Sequence, residues 1–262
     1  MRVALHQLTV RGDKLENLRR VLAEIDRVDA DLHVFPEYLM GVGERGVTRE
    51  FVHGNSEPLS GDFVGSVVDK SRERGTAVVF SAFLREGEGV YNAAILANRG
   101  RVEAVYRKIH LFDAFGYRES NIFKPGESLA VARLGEFTVG LAVCFDLRFP
   151  ELFRAMALRG ADLFTVPSAW YKGPYKVEQW RALTAARAHE NTAYLVAVDQ
   201  AGQFFAGHST VVTPIGHRLV ELGEADRTIQ VDLDYGEVEE ARRAVPVLEL
   251  LKKELYAGWY GA

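Results

Sequence analysis

Glu37, Lys108 and Cys144 are the residues whose types and positions suit one chemistry, the hydrolysis of an amide-like bond. Each closes an apolar run that reads as a strand: HVFPE at Glu37, EAVYRK at Lys108 and VGLAVC at Cys144. A thiol is intrinsically nucleophilic, yet near neutrality it is only about a few per cent thiolate unless helped. A carboxylate accepts the thiol proton when burial raises its own pKa. A fixed ammonium lowers the thiol pKa and later stabilises the oxyanion of a tetrahedral intermediate. Taken singly, each residue also has a blander reading: a core cysteine, a solvated glutamate, and a lysine guarding a strand edge.

The elements that must position these groups alternate from the start. RVALHQLTV alternates apolar and polar residues as a strand does. DKLENLRRVLAEIDRV places Leu15, Leu18, Val21, Leu22, Ile25 and Val28 on one helical face, with Asp13 as N-cap. LHVFPE is a short strand, and LSGDFVGSVVDKSRERG a helix stopped by Gly75. AVVFSAFL, VYNAAILAN and RVEAVYRK follow as strands, the last two joined at Arg99-Gly100. SLAVARL, FTVGLAVCF, DLFTVPSA, AYLVAVDQ, HSTVVTP, HRLVEL and RTIQVDLD read as further strands. PELFRAMALRG, opened by Pro150, and KVEQWRALTAARAHEN read as helices. So many strands with a few long helices predict one layered α/β domain over residues 1–262, helices outermost. The segment from about 245 to 262 carries Val247, Leu248, Leu250, Leu251, Leu255, Tyr256, Trp259 and Tyr260. It is expected either to pack on the core or to meet another subunit.

Bulk properties exclude other classes. The formal charge of −4, with both signs interspersed, argues against a nucleic-acid binder. No stretch is long and apolar enough to span a bilayer, and the N-terminus lacks a signal-peptide pattern. With a single cysteine no internal disulfide forms, which fits a reducing, cytoplasmic setting. The histidines at 6, 33, 53, 110, 189, 208 and 217 form no H-x-x-x-H pair. No metal or other cofactor is therefore expected. His110 or His189 remains the alternative base, as a Cys–His dyad. GVGERG, residues 41–46, matches G-x-G-x-x-G literally, but EYLM separates it from a strand and only a short helix follows. It reads as a loop beside Glu37 that shapes access rather than a nucleotide site.

FPE, YRKIHLFD, CFDLRFPEL, PSAW and AARAHENTAYLVAVDQ occur in the order and spacing of the nitrilase superfamily of carbon–nitrogen hydrolases, which the chain resembles over essentially its whole length. The block around Cys144 resembles the Nit-type amidase branch most. The resemblance implies a four-layer α-β-β-α sandwich and a homodimer or higher homo-oligomer. It also implies catalytic roles for Glu37, Lys108 and Cys144, with Glu119 in support. Where many relatives read Cys-Tyr-Asp, this chain has Cys-Phe-Asp.

The expected reaction is hydrolysis of a small linear amide to a carboxylic acid and ammonia through a thioester. The Phe145 backbone N–H would be a second oxyanion donor beside Lys108. Arg148 offers a planar fork for a substrate carboxylate, which would make the substrate an ω-amide of a dicarboxylic or keto acid, with an ion pair to Glu151 as the structural alternative. Trp170 is either a pocket wall or a core aromatic. A nitrile or N-carbamoyl hydrolase of the same fold, or a non-catalytic scaffold, is the competing reading.

Overall fold

The structure, a computed structural model, describes residues 1–259, so Tyr260 lies outside the described residues. The first half runs β1 (Arg2–Gln7), α1 (Lys14–Arg27), β2 (Leu32–Val34), α2 (Arg49–Asn55), α3 (Asp62–Arg74), β3 (Ala77–Glu86), β4 (Gly89–Asn98) and β5 (Arg101–Arg107). A short hairpin, β6 (Asp113–Ala114) and β7 (Tyr117–Arg118), leads into the second half. There β8 (Ala130–Leu134), β9 (Phe137–Leu141), α4 (Pro150–Leu158), β10 (Leu163–Ser168), α5 (Lys176–His189), β11 (Tyr194–Asp199), β12 (Thr210–Val212) and β13 (Arg218–Glu221) follow. The chain then returns through β14 (Arg227–Asp232), α6 (Tyr235–Ala244), α7 (Val247–Leu250) and α8 (Lys253–Trp259).

The strands form two six-stranded sheets, ordered β14-β1-β2-β3-β4-β5 and β13-β12-β11-β10-β9-β8. In each, three parallel strands (β1, β2, β3 or β9, β10, β11) are flanked by antiparallel ones. The sheets pack face to face, with Val3, Leu5, Val79 and Leu96 of one and Val139, Leu141, Val196 and Val198 of the other in one core. On the outer face of the first sheet, Val78, Phe80 and Ile95 meet Val21 and Ile25 of α1 and Phe63 and Val67 of α3. Helices α4 and α5 cover the second sheet. The result is the expected α-β-β-α sandwich. Because both faces of each sheet are covered, β3, β10 and β11 read as near-continuous apolar runs instead of alternating ones.

Local rules account for most boundaries. The Asp13 side chain accepts from Glu16 N at 2.8 Å and caps α1. Gly75 ends α3 in the left-handed conformation, φ +63°, which costs a residue without a Cβ nothing. Pro150 opens α4, where a missing N–H has no intrahelical use.

Several expectations need correction. Leu15 is exposed and outside the buried stripe of α1. The polar positions of β1 do not face water: His6 and Gln7 are buried, His6 bonded to His33 (2.9 Å) and Gln7 to the carbonyls of Gly223 and Ala225. Helix α6 is absent from the sequence reading because only Val238 and Ala241 of its ten residues are buried, too thin a stripe to register. The strands also stop before the reactive residues. β2 ends at Val34, β5 at Arg107 and β9 at Leu141, so Glu37, Lys108 and Cys144 stand on the loops just beyond them.

Candidate active site

Those loops converge at one end of the sandwich. The Glu37 backbone is tied to the second sheet by Glu37 N to Ser168 O (3.2 Å), and its carbonyl accepts from Gln200 Nε2 (2.8 Å). Lys108 is clamped by its own N–H to Asn92 O (2.8 Å) and by Gly126 N to its carbonyl (2.9 Å). Glu119 opens a short helical turn after β7. All three side chains are at most 1% exposed. The Lys108 ammonium lies 2.8 Å from Glu37 Oε1 and 2.9 Å from Glu119 Oε2, bridging the two acids.

The two carboxylates differ in what remains open on them. Glu119 accepts from Lys108, from Phe112 N (2.6 Å), from Tyr38 OH (3.0 Å) and from Asn92 Nδ2 (3.0 Å), so both its oxygens are committed. Glu37 uses Oε1 for Lys108 and for Asn92 Nδ2 (2.7 Å), while its buried Oε2 has no partner. A buried carboxylate oxygen without a donor is costly, and such exceptions call for a functional reason.

Cys144 begins a tight helical turn, Cys144–Arg148, three residues past β9. Its φ is +45°, a conformation that costs a non-glycine residue about 1–3 kcal/mol and needs to be over-determined by its surroundings. Asp146 does this. Its Oδ2 accepts from Val143 N (2.8 Å) and Tyr106 OH (2.9 Å), and its Oδ1 from His110 N (3.2 Å), with His110 Nδ1 at 2.7 Å. The carboxylate thus grips the backbone on the entry side of the turn and anchors it to the loop after Lys108. Phe145 occupies the second position of the turn, where a helical start leaves N–H groups without internal acceptors.

Burial dominates the electrostatics. It raises the pKa of the Cys144 thiol, reinforced by Glu37 and opposed by Lys108 and the Ala169 backbone. It likewise raises Glu37, against the pull of Lys108. For Lys108 burial is again the largest influence and acts downward, but Glu119 and Glu37 outweigh it and hold the ammonium above the ordinary lysine value. Lys108 is the cation that acts on Glu37, Glu119 and the thiol in common, while burial pushes both Glu37 and Cys144 up.

A narrow slot of about 10 Å³ is lined by Glu37, Lys108, Cys144, Phe145, Trp170 and Lys176, among others. It holds little more than one water-sized group. Phe112, Tyr171 and Lys176 are shared with an outer cavity of about 610 Å³, which the GVGERG loop helps to wall through Glu44, Arg45 and Gly46. Phe145 and Trp170 both line the slot, and Trp170 is at the same time buried in the core. Arg148 does not line the slot. Its guanidinium donates to Gln179 Oε1 (2.7 Å) and lies 4.9 Å from the centroid of the Trp170 ring. No histidine lines the slot either. His110 is stacked on Phe149 and turned to Asp146, so it is not placed to serve the thiol. Among the described residues no group of acids, histidines and cysteine is arranged to hold a metal.

Sequence reasoning missed Asn92, Tyr38, Asp199 and Lys176, and gave Asp146 no role. Asn92 and Asp199 did carry a signal, since each interrupts or ends an apolar strand and a buried polar side chain must be bonded. Asp199 Oδ1 accepts from Trp170 N at 2.6 Å and so holds the loop bearing that ring. Tyr38 and Lys176 sit in a turn and at a loop–helix junction, where nothing local marks them.

Comparison with known proteins agrees with this geometry. Residues 2–243 match the carbon-nitrogen hydrolase family. A Mycobacterium tuberculosis hydrolase is 36% identical, the match covering 95% of this chain and 94% of that protein. An Escherichia coli deaminated glutathione amidase is 31% identical over 87% of each. An amidase from Nesterenkonia sp. AN1, solved with acrylamide added to its active-site cysteine, superposes with a TM-score of 0.81 at 32% identity, covering 99% of both chains. With its sandwich, its buried acid–ammonium–thiol cluster and these relatives, the chain belongs to the carbon-nitrogen hydrolase family of the nitrilase superfamily.

Proposed function

We propose that the protein is a thiol-dependent amidase in which Cys144 is the nucleophile, Glu37 the general base and acid, and Lys108 the oxyanion clamp. The unpartnered Oε2 of Glu37, a residue that lines one slot with Cys144 and Lys108, carries the reading. Glu37 takes the thiol proton as Sγ attacks the amide carbonyl carbon and a C–S bond forms. The oxyanion is met by the Lys108 ammonium and the Phe145 N–H. As the intermediate collapses, the C–N bond breaks and Glu37 returns the proton to the departing ammonia. Glu37 then deprotonates a water that attacks the thioester, releasing the carboxylic acid and the thiol. Glu119, with every lone pair engaged, orients Lys108 and keeps it charged.

The substrate is a small-molecule amide whose reacting carbonyl meets the slot and whose body lies in the outer cavity. The amidases among its relatives, including those acting on deaminated glutathione, support that class. A nucleophilic thiol suits a reducing compartment, and we assign the protein to the cytoplasm. Leu250, Leu255, Tyr256 and Trp259 are exposed on α7 and α8, and we read this segment as a contact between copies of the chain, in a homodimer or larger homo-oligomer, rather than as core packing.

Mass spectrometry of enzyme quenched during turnover tests the reading. The expected product is Cys144 carrying the acyl group minus ammonia, and an adduct elsewhere overturns the assignment. Because burial raises Glu37, the acid limb of kcat/KM should lie above pH 4.5, its ordinary value.

A further inference from the structure

We propose that Asp199 is a positioning residue for the nucleophile: its carboxyl fixes the segment after β10 so that the Ala169 N–H is aimed at the Cys144 sulfur. The inference rests on Cys144 as the nucleophile, and it assigns a buried acid for which the reaction itself has no use. Asp199 closes β11 and is fully buried. It faces Ser168, the last residue of β10, where the parallel ladder between the two strands ends. Beyond Ser168 the chain runs along the slot, which Ala169 and Trp170 both line. Strand partners run out there, and the Asp199 side chain replaces them: its Oδ1 accepts from Trp170 N at 2.6 Å.

Ala169 is thereby held through both of its peptide planes. The plane before it is anchored at Ser168 O, which accepts from Glu37 N (3.2 Å) and Gln200 N (3.1 Å). A planar trans peptide points its N–H away from its carbonyl. The Ala169 N–H is thus turned from those two donors and reaches Cys144, where it favours the thiolate. The plane after Ala169 is anchored at Trp170 N by Asp199. The other oxygen of that acid, Oδ2, is buried without a partner. Burial, with the Glu37 charge nearby, pushes Asp199 well above the ordinary aspartate value, against the backbone donors of Trp170, Gln200 and Gly207. An isolated buried carboxyl neutralises instead of carrying a charge. The oxygen that holds Trp170 N therefore belongs to a neutral acid, which spares the thiolate a second anionic neighbour beside Glu37.

The pH dependence of Cys144 labelling by iodoacetamide reads the thiolate without requiring amide turnover. Glu37, Lys108, Arg148 and Lys176 also act on the thiol and are untouched by the substitutions. Asp199→Ala should raise the labelling midpoint by about one pH unit and lower kcat about tenfold, the scale of a hydrogen bond to a charged group. Asp199→Asn, whose Oδ1 is still an acceptor, should restore most of both. If Asp199→Ala does not fold, Asp199→Leu, of similar volume, makes the same comparison. A midpoint unmoved in the folded Ala or Leu variant, with only thermal stability reduced, makes the role merely structural and overturns the proposal. So does an Asp199→Asn midpoint that shifts as far as that of Asp199→Ala, or that falls below wild type, because either means that the proton or the charge of the acid acts. A midpoint that moves as expected in a protein that releases no ammonia from any amide would leave Asp199 in its role and overturn the amidase reading instead.

Discussion

The two sheets share one strand pattern yet contribute to the site in opposite ways. The first half supplies ionisable side chains held by one another: Glu37, Asn92, Lys108 and, just past its last strand, Glu119 form a closed set of side-chain hydrogen bonds and ion pairs. The second half supplies a thiol held by backbone geometry, at a positive φ that Asp146 stabilises through Val143 N. In the first half, removing Lys108 strands two buried carboxylates. In the second, removing the reactive atom leaves the scaffold intact. On the proposed mechanism, rate and stability are therefore coupled at Lys108 and separable at Cys144.

The largest expected effect comes from setting the two halves against each other directly. Cys144→Ala should lower kcat by about 10⁴-fold or more, as loss of a nucleophile does, with thermal stability close to wild type. Lys108→Met should lower the rate by about 10²–10³-fold and also destabilise the fold by about 3–5 kcal/mol, because two buried carboxylates lose their cation. Equal stability losses in the two variants, measured by denaturant unfolding, would erase the contrast.

Within the first half, the open and the saturated carboxylate separate in the same manner. Glu37→Gln should cost about 10²–10⁴ in rate with little loss of stability. Glu119→Gln turns an amide toward groups that are already donors, and should cost about 1–3 kcal/mol of stability with a smaller loss of rate. Steady-state kinetics beside unfolding curves decide this, and the reverse ranking would exchange the two assignments.

The smallest effect concerns a buried pair that binds elements of the first half and touches no substrate. Burial, with His6 and Arg74 nearby, pushes His33 down to about 3 from 6.5, and His6 is lowered by burial as well. The unfolded chain takes up these protons as pH falls below 6.5 while the folded chain does not, so stability is full above 6.5 and drains as pH falls toward 3. His33→Gln should flatten that slope by about 1 kcal/mol per pH unit between pH 6.5 and 5. An unchanged slope would mean that the pair titrates normally in the folded protein.

The elements themselves were largely legible in the sequence. Apolar periodicity, Asp13, Gly75 and Pro150 determine most helices and strands because caps and breakers act within a few residues. Glu37, Lys108 and Cys144 each stand at the end of an apolar run, but type and position alone also allow a structural reading of each, and the family resemblance is what singles them out. Tertiary structure alone decided which of them meet. Residues 37, 108, 119 and 144 come from different loops, and only the face-to-face packing of the sheets brings those loops to one end. It also decided the finer roles. That Glu37 keeps a free oxygen while Glu119 does not depends on Tyr38, Asn92 and Phe112, donors whose reach no local pattern encodes. In the same way it turned Arg148 aside onto Trp170 and Gln179 and set Lys176 at the slot. The direction of a long cationic side chain is set by the rings and acceptors around it, and those arrive only with the fold.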